Sequence, residues 1–173
     1  MQPLRVLGVD PGFGRTGLGL VLIKKGDPHH LWHSVIDTPA DHRFIDRLQA
    51  VRNDLTEAIR RFEPSVACVE SLFFQTNAKT AMKVGMARGV ILLALADANL
   101  PIVEVTPSQV KTGMTGYGNA DKAQMQEMVM RLLKLQAIPK PDDAADALAL
   151  AIVGGYMHQN QAKTHGGSGL KSP

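Results

Sequence analysis

The sequence contains little cysteine, few aromatic residues and no long apolar run, and each shortage excludes a class of protein. The single cysteine, Cys68, cannot form a disulfide within the chain. The longest apolar stretch, residues 90–96, is far shorter than the ~20 residues that cross a bilayer, and no basic segment leads into a long apolar run. Aromatic residues make up only 5% of the chain, which disfavours a large aromatic-lined pocket. We therefore expect a cytoplasmic protein that does not enter membranes.

Length and composition are those of a single globular domain. The chain has 173 residues, of which 45% are hydrophobic and 20% are charged, and a chain of this size builds one substantial core. Residues 162–173 are mainly glycine, serine and lysine with one leucine, a composition that buries too little surface to become ordered. We expect residues 1–158 to form one domain and residues 159–173 to form a flexible tail.

The spacing of apolar residues predicts a strand meander followed by alternating helices and strands. The predicted strands are 4–10, 17–23, 31–36, 66–69 and 102–105, with a turn at 26–28. The predicted helices are 45–63, 77–99, a short one opened by Pro107, 121–135 and about 142–158, with a loop at 114–118. This order specifies a mixed sheet with helices on its faces.

Four acidic residues occupy positions that can meet at one edge of this sheet. Asp10 and Glu70 each end an apolar strand, and Asp143 and Asp146 lie three apart at the start of the last helix, on one face. Crowded carboxylates raise one another's pKa unless a cation lies among them. Oxygen ligands without cysteine or histidine favour Mg²⁺ or Mn²⁺ over Zn²⁺, and two such ions suit phosphodiester hydrolysis.

Each acid also has a purely structural interpretation. An aspartate before Pro-Gly, as at Asp10, is common in turns. Asp143 and Asp146, together with Asp142, could serve only to stabilise the amino terminus of a helix. The hypothesis of a metal site therefore depends on the four residues as a set.

The charge balance agrees with a polyanionic partner. The chain has 19 basic and 16 acidic residues, a formal net charge of +3. If four carboxylates bind metal, 12 acidic residues remain against the 19 basic ones, an excess of seven positive charges. Such an excess suits a phosphate backbone.

Six short motifs follow one another along residues 4–156. They are Gly8 to Gly12, Val69-Glu70, Phe73 with Asn77-Ala78, Gly85 with Ala87 to Gly89, Pro107 to Lys111, and Asp143 to Ala149. In this order they resemble the RuvC Holliday junction resolvases of the ribonuclease H and integrase superfamily. The resemblance implies a ribonuclease-H-like α/β fold: a mixed five-stranded sheet, an antiparallel meander followed by parallel strands, flanked by helices.

The resemblance also assigns residues. It places the family's catalytic and metal-binding tetrad on Asp10, Glu70, Asp143 and Asp146, holding two Mg²⁺ per subunit for which Mn²⁺ can substitute. Lys111 and Lys122 are implied beside the scissile phosphate, Lys122 as a catalytic residue, and Phe73 is implied as a wedge between bases near the crossover. The DNA-contacting residues that we expect are Phe73, Phe74, Asn77, Lys79, Lys83, Arg88, Lys111 and Lys122.

The implied activity is that of a crossover junction endodeoxyribonuclease. Such an enzyme resolves four-way DNA junctions by paired symmetric nicks, through two-metal-ion hydrolysis, in homologous recombination and DNA repair. The resemblance implies a homodimer built on the long helix 77–99, where Gly85 and Gly89 allow close approach. It also implies a partnership with a branch-migration helicase complex of the RuvA and RuvB type.

Departures from the family pattern and alternative functions stay open at this point. Met86 and Ser71 stand where the family usually has glutamine, and Phe74 doubles the aromatic residue. A related dimeric nuclease for other branched or RNA-containing substrates, or a non-catalytic junction-binding protein, would share most of these motifs. Residues 10–17 also resemble the first phosphate loop of actin-like and sugar-kinase ATPases, but a chain of 173 residues is too short for two such lobes.

Overall fold

The first three strands form an antiparallel meander. The computed structural model describes residues 2–71 and 78–166, with only the backbone at 78–80, 165 and 166. In it, β1 is Leu4–Asp10, β2 is Arg15–Lys24 and β3 is Asp27–Asp37. β1 pairs with β2, and β2 pairs with β3, both antiparallel. The predicted meander is confirmed.

Two further strands complete a five-stranded sheet. β4 (Val66–Glu70) and β5 (Ile102–Val105) run parallel to β1 and to each other, in the order β3-β2-β1-β4-β5. Because a parallel strand requires a crossover connection, a helix lies between each of these strands and the one before it. The predicted mixed sheet is therefore observed.

Helices cover both faces of the sheet. They are α1 (Phe44–Phe62), α2 (Ala78–Asp97), α3 (Pro107–Thr115), α4 (Lys122–Leu132) and α5 (Asp142–Gly166). Alternate residues of a strand point to opposite faces, so Leu7 and Val9 pack towards α1 and α2 whereas Val6 packs towards α3, α4 and α5. None of the helices within the described ranges combines the length and hydropathy that a bilayer span needs.

Two predicted boundaries differ from the structure. The turn between β2 and β3 is at Lys25 and Gly26, which both have positive φ, and Asp27 and Pro28 already belong to β3. The last helix was predicted to end near His158, with residues 159–173 as a flexible tail, but α5 continues to Gly166. Residues 159–164 contain no proline or glycine to end the helix, and these mostly exposed residues continue it into solvent. Residues 167–173 lie outside the described part of the chain.

Candidate active site

Two of the four predicted acids end neighbouring strands. Asp10 is the last residue of β1 and Glu70 is the last residue of β4. The strands run parallel with Val9 beside Val69, so both carboxylates leave the sheet at the same edge. In open α/β sheets this is the edge at which ligands bind.

Glycines bring the other two acids to this edge. Gly17 of β2 pairs with Asp10, and a Cβ at Gly17 would lie 2.0 Å from the backbone carbonyl oxygen of Asp143. A Cβ at Gly8 would lie 1.9 Å from the carbonyl oxygen of Ala147, one turn further along α5. The backbone of α5 therefore lies directly on β1 and β2, which only residues without a side chain permit.

One pocket collects three of the acids and two of the predicted lysines. Asp10, Glu70 and Asp146 line it together with Lys111 of α3 and Lys122 of α4. The rest of the lining is Pro107, Val110, Met125, Ala149 and Leu150. Asp143 does not line this pocket, although its charge acts on Asp10. The pocket thus joins negative and positive side chains from five different elements.

The electrostatics of the pocket favour a bound cation. Burial, and then the charges of Glu70, Asp146 and Asp143, raise the pKa of Asp10 to about 8, against a lowering by Lys122. Burial also raises the pKa of Glu70 and of Asp146, and in Glu70 the charge of Asp146 adds to it. A divalent cation would remove both the repulsion and the desolvation cost of ionising these groups.

Lys122 lies between acids at the mouth of the pocket. It is the first residue of α4, whose amino terminus is fixed by a capping box between Asp121 and Gln124. The Lys122 Nζ is 3.2 Å from an oxygen of Asp142 and 3.8 Å from an oxygen of Asp146. Hydrogen bonding to Asp142 is the main cause of the raised pKa of Lys122, so this cation is held charged beside the acids.

Arg88 lies behind Glu70. Its Nε donates a hydrogen bond to the Glu70 carbonyl oxygen at 3.2 Å, and its guanidinium forms an ion pair with Glu104 of β5. Only 18% of the Arg88 side chain is exposed. These contacts fix the carboxyl end of β4. The contact between Arg88 and DNA that we expected from the sequence stays a prediction.

Arg15 is a site residue that the sequence analysis missed. Its guanidinium Nη1 is 3.4 Å from an oxygen of Asp143, and its Nη2 is 3.9 Å from an oxygen of Asp37. Arg15 and Asp37 face each other because they pair across β2 and β3. The available signal was the position of Arg15 five residues after Asp10, but only the strand register shows which acids it meets.

The acids fit a hard divalent cation in chemistry, although their present arrangement is not that of a loaded site. Within residues 2–71 and 78–166, no three histidine, cysteine, aspartate or glutamate side chains are arranged to hold an ion as they stand. Two of the acids are engaged with cations of the chain itself, Asp143 with Arg15 and Asp146 with Lys122. The donor set, carboxylate oxygens only, is the type that Mg²⁺ and Mn²⁺ prefer.

Several predicted DNA contacts cannot be located. Phe73, Phe74 and Asn77 lie outside the described residues, as does the side chain of Lys79. Lys83 on α2 is exposed, and its Nζ is 5.6 Å from the ring centre of Phe13, in the turn that follows Asp10. Lys83 therefore reaches the same side of the molecule as the pocket.

Related proteins share both the sequence and the fold. Proteins described as crossover junction endodeoxyribonuclease RuvC are 44% identical to this chain in Thermotoga petrophila, over 94% of this chain and 99% of that protein. In Thermosipho melanesiensis the identity is 48%, over 86% of this chain and 94% of that protein.

Solved structures agree with the sequence comparisons. Thermus thermophilus RuvC in complex with a Holliday junction substrate is 33% identical and superposes with a TM-score of 0.87, over 91% of this chain and 96% of that one. The yeast mitochondrial Holliday junction resolvase, at 15% identity and a TM-score of 0.64, covers 94% of this chain and 81% of that one and shares the fold alone. The family model described as crossover junction endodeoxyribonuclease RuvC matches residues 6–154, and the chain belongs to this family.

Proposed function

We propose that this chain is a Mg²⁺-dependent endonuclease that resolves four-way DNA junctions by paired symmetric nicks, in homologous recombination and DNA repair. The observation that carries the proposal is the convergence of Asp10, Glu70 and Asp146 with Lys111 and Lys122 in one pocket. The junction substrate named for the Thermus thermophilus structure supports the choice of DNA. The net positive charge of the chain agrees with it.

The four acids are the proposed ligands of two Mg²⁺ per subunit, with Mn²⁺ as a substitute. Asp10 ends β1 next to the strand that Glu70 ends, and the charges of Glu70, Asp146 and Asp143 act on it, so its carboxylate would be one of the ligands. Bound divalent ions would polarise the phosphoryl oxygen and lower the pKa of an attacking water. The protein positions these carboxylates by two strand ends and one helix start.

The lysines of the pocket supply positive charge for the scissile phosphate. Lys122 is already held beside Asp146, and Lys111 lines the same pocket from α3. A fixed ammonium group next to a partly buried site stabilises charge that develops on phosphate oxygens more than it would in water. The proposed wedge, Phe73, and the proposed contacts of Phe74, Asn77, Lys79, Lys83 and Arg88 would hold the junction arms around this pocket.

The proposed assembly is a homodimer through α2. Met82, Met86 and Leu93 lie on one face of this helix and are 60%, 46% and 58% exposed, and a Cβ at Gly85 or Gly89 would meet no atom of the chain within 4 Å. Exposed apolar side chains next to glycines suit the close packing of two helices. A two-fold dimer would present two pockets to the two like strands of a junction. A helicase complex of the RuvA and RuvB type is the proposed partner.

The test is a nicking assay with three substrates: a four-way junction, a linear duplex and an RNA–DNA hybrid. We expect Mg²⁺-dependent nicking of the junction alone. Asp10→Asn should lose nicking and keep junction binding, whereas Asp54→Asn, an exposed acid on α1, should nick as the unchanged chain does. Nicking by Asp10→Asn at the unchanged rate would refute the metal site, and preferential cleavage of the hybrid would favour the alternative nuclease.

A further inference from the structure

Arg15 contacts a proposed metal ligand, yet the proposed function gives this side chain no role. It is the first residue of β2, and its partner in the register is Asp37, the last residue of β3. Its guanidinium spans from Asp37 to Asp143, a proposed metal ligand on α5. One cation is thus shared by two carboxylates, of which one belongs to the active site.

Neither ion pair holds Arg15 firmly. The nitrogen–oxygen distances are 3.4 Å to Asp143 and 3.9 Å to Asp37, and 45% of the Arg15 side chain is exposed. Exposed ion pairs at such distances stabilise little. The side chain can therefore leave Asp143 at small cost when a stronger ligand for either partner arrives.

The backbone that carries Arg15 is, by contrast, well fixed. Thr38 donates from its backbone N–H to the Gly14 carbonyl oxygen at 2.9 Å, and from its hydroxyl to the Phe13 carbonyl oxygen at 2.6 Å. The buried Arg47 of α1 donates to the same Phe13 oxygen at 3.1 Å and stacks 3.7 Å from the Phe13 ring centre. The backbone is thus held by several hydrogen bonds, whereas the Arg15 side chain is held only by its two long ion pairs.

We infer that Arg15 is a DNA phosphate ligand that, in the free protein, competes with the divalent cation for Asp143. A guanidinium has five N–H donors in a planar fork that matches a phosphate as well as a carboxylate. When a cation takes Asp143, the guanidinium would be released beside the amino terminus of α5, free to bind a phosphate of the DNA backbone. This inference rests on the proposed nuclease function and adds a substrate-binding residue to it.

The competition predicts two effects of Arg15→Gln with opposite signs. Binding of Mn²⁺ to the DNA-free protein, followed by the electron paramagnetic resonance of unbound Mn²⁺, should become about two- to fivefold tighter, because an exposed ion pair no longer opposes it. Junction binding at saturating Ca²⁺, a divalent cation that also takes carboxylate ligands, should weaken when followed by fluorescence anisotropy. The slope of log affinity against log salt should become less negative by about one unit for each subunit.

Two further variants sharpen the test. Asp37→Asn removes the carboxylate that draws Arg15 away from Asp143, so Mn²⁺ binding should weaken in this variant. Arg60→Gln is the matched control, because Arg60 forms an exposed ion pair with Glu57 in the last turn of α1. This end of α1 leads into the start of β4, whereas Glu70 is at the other end of that strand. Arg60→Gln removes the same charge without either effect. Unfolding temperatures within a few degrees of the unchanged chain confirm that each variant is folded.

The inference requires both effects of Arg15→Gln together. If Arg15→Gln matches Arg60→Gln in Mn²⁺ affinity or in the salt slope, Arg15 is a structural residue and the inference is wrong. The proposed function survives that result as long as junction nicking needs Mg²⁺ and Asp10. If Asp10→Asn nicks normally, the proposed function itself fails, so the two failures are distinguishable.

Discussion

At the scale of single residues, Asp10 makes the stability of the metal-free protein depend on pH. Its pKa is raised from 3.8 to about 8, first by burial and then by the neighbouring acids. Between these two values the folded protein keeps a proton on Asp10 that the unfolded chain has lost. The contribution of Asp10 to the free energy of unfolding is therefore fully present below about pH 4, decreases as the pH rises, and is lost above about pH 8.

Asp10→Asn should remove this pH-dependent loss of stability, because asparagine does not titrate. In EDTA the variant should unfold at a higher temperature than the unchanged chain, with a difference that grows from pH 5 to about pH 8 and then levels off. Differential scanning fluorimetry across pH measures it. At matched ionic strength, Mg²⁺ should raise the unfolding temperature of the unchanged chain more at pH 8.5 than at pH 6. The variant should lack this difference between the two pH values. Identical pH profiles of the two proteins would contradict this account.

Which residues belong to the site was predictable only in part. Asp10 and Glu70 could be assigned because each ends an apolar run, and strand ends are visible in a sequence. Arg15 could not, because its partners depend on the register of β2 against β3 and on the position of α5. The contact of Arg88 with DNA stays a prediction. Its contacts with the Glu70 carbonyl and Glu104 come from tertiary packing, which charge alone does not reveal.

At the scale of elements, the position of α5 depends on glycine. Gly17→Ala would place a Cβ 2.0 Å from the Asp143 carbonyl oxygen, so the first turn of α5 must move away from β2. Overpacking of this kind costs roughly 1–3 kcal/mol, and in a protein of this size it should lower the unfolding temperature by about 3–10 °C. Nicking should fall as well, since Asp143 and Asp146 move with the helix.

Gly14→Ala is the control for this prediction. A Cβ at Gly14 meets no atom within 4 Å, and the residue lies in the turn just before β2. Its unfolding temperature and nicking rate should stay close to those of the unchanged chain. Equal effects of the two substitutions would show that the close contact of α5 with the sheet is not what positions the acids.

The order of the elements was predictable and some of their ends were not. Short apolar runs and Pro107 located every strand and the start of α3, because these signals are local. The sequence predicts Pro28 in a turn, yet Pro28 lies in β3, an edge strand where a missing N–H is tolerated. The residues of α5 beyond 158 are helical because of their helix propensity and not because they are buried. A pattern of apolar residues therefore does not reveal them.

At the scale of the whole molecule, the exposed face of α2 predicts association of two copies. Leu93→Glu would place a charge on this face. Sedimentation equilibrium should show a dimer for the unchanged chain and a monomer for the variant. Leu31→Glu is the control, since Leu31 is 43% exposed on β3, away from α2. A dimer that persists in Leu93→Glu and dissociates in Leu31→Glu would place the interface on the sheet edge instead.

The four proposed metal-binding acids are at positions 10, 70, 143 and 146, and the helix that carries the last two packs on the first two strands. During synthesis on a ribosome, the first two acids therefore emerge long before the others. A growing polypeptide that stops short of residue 142 carries half of the charged set, with the glycine-lined groove on β1 and β2 still open. The proposed nuclease activity therefore requires translation through residue 146, and a chain interrupted before α5 should not cleave DNA.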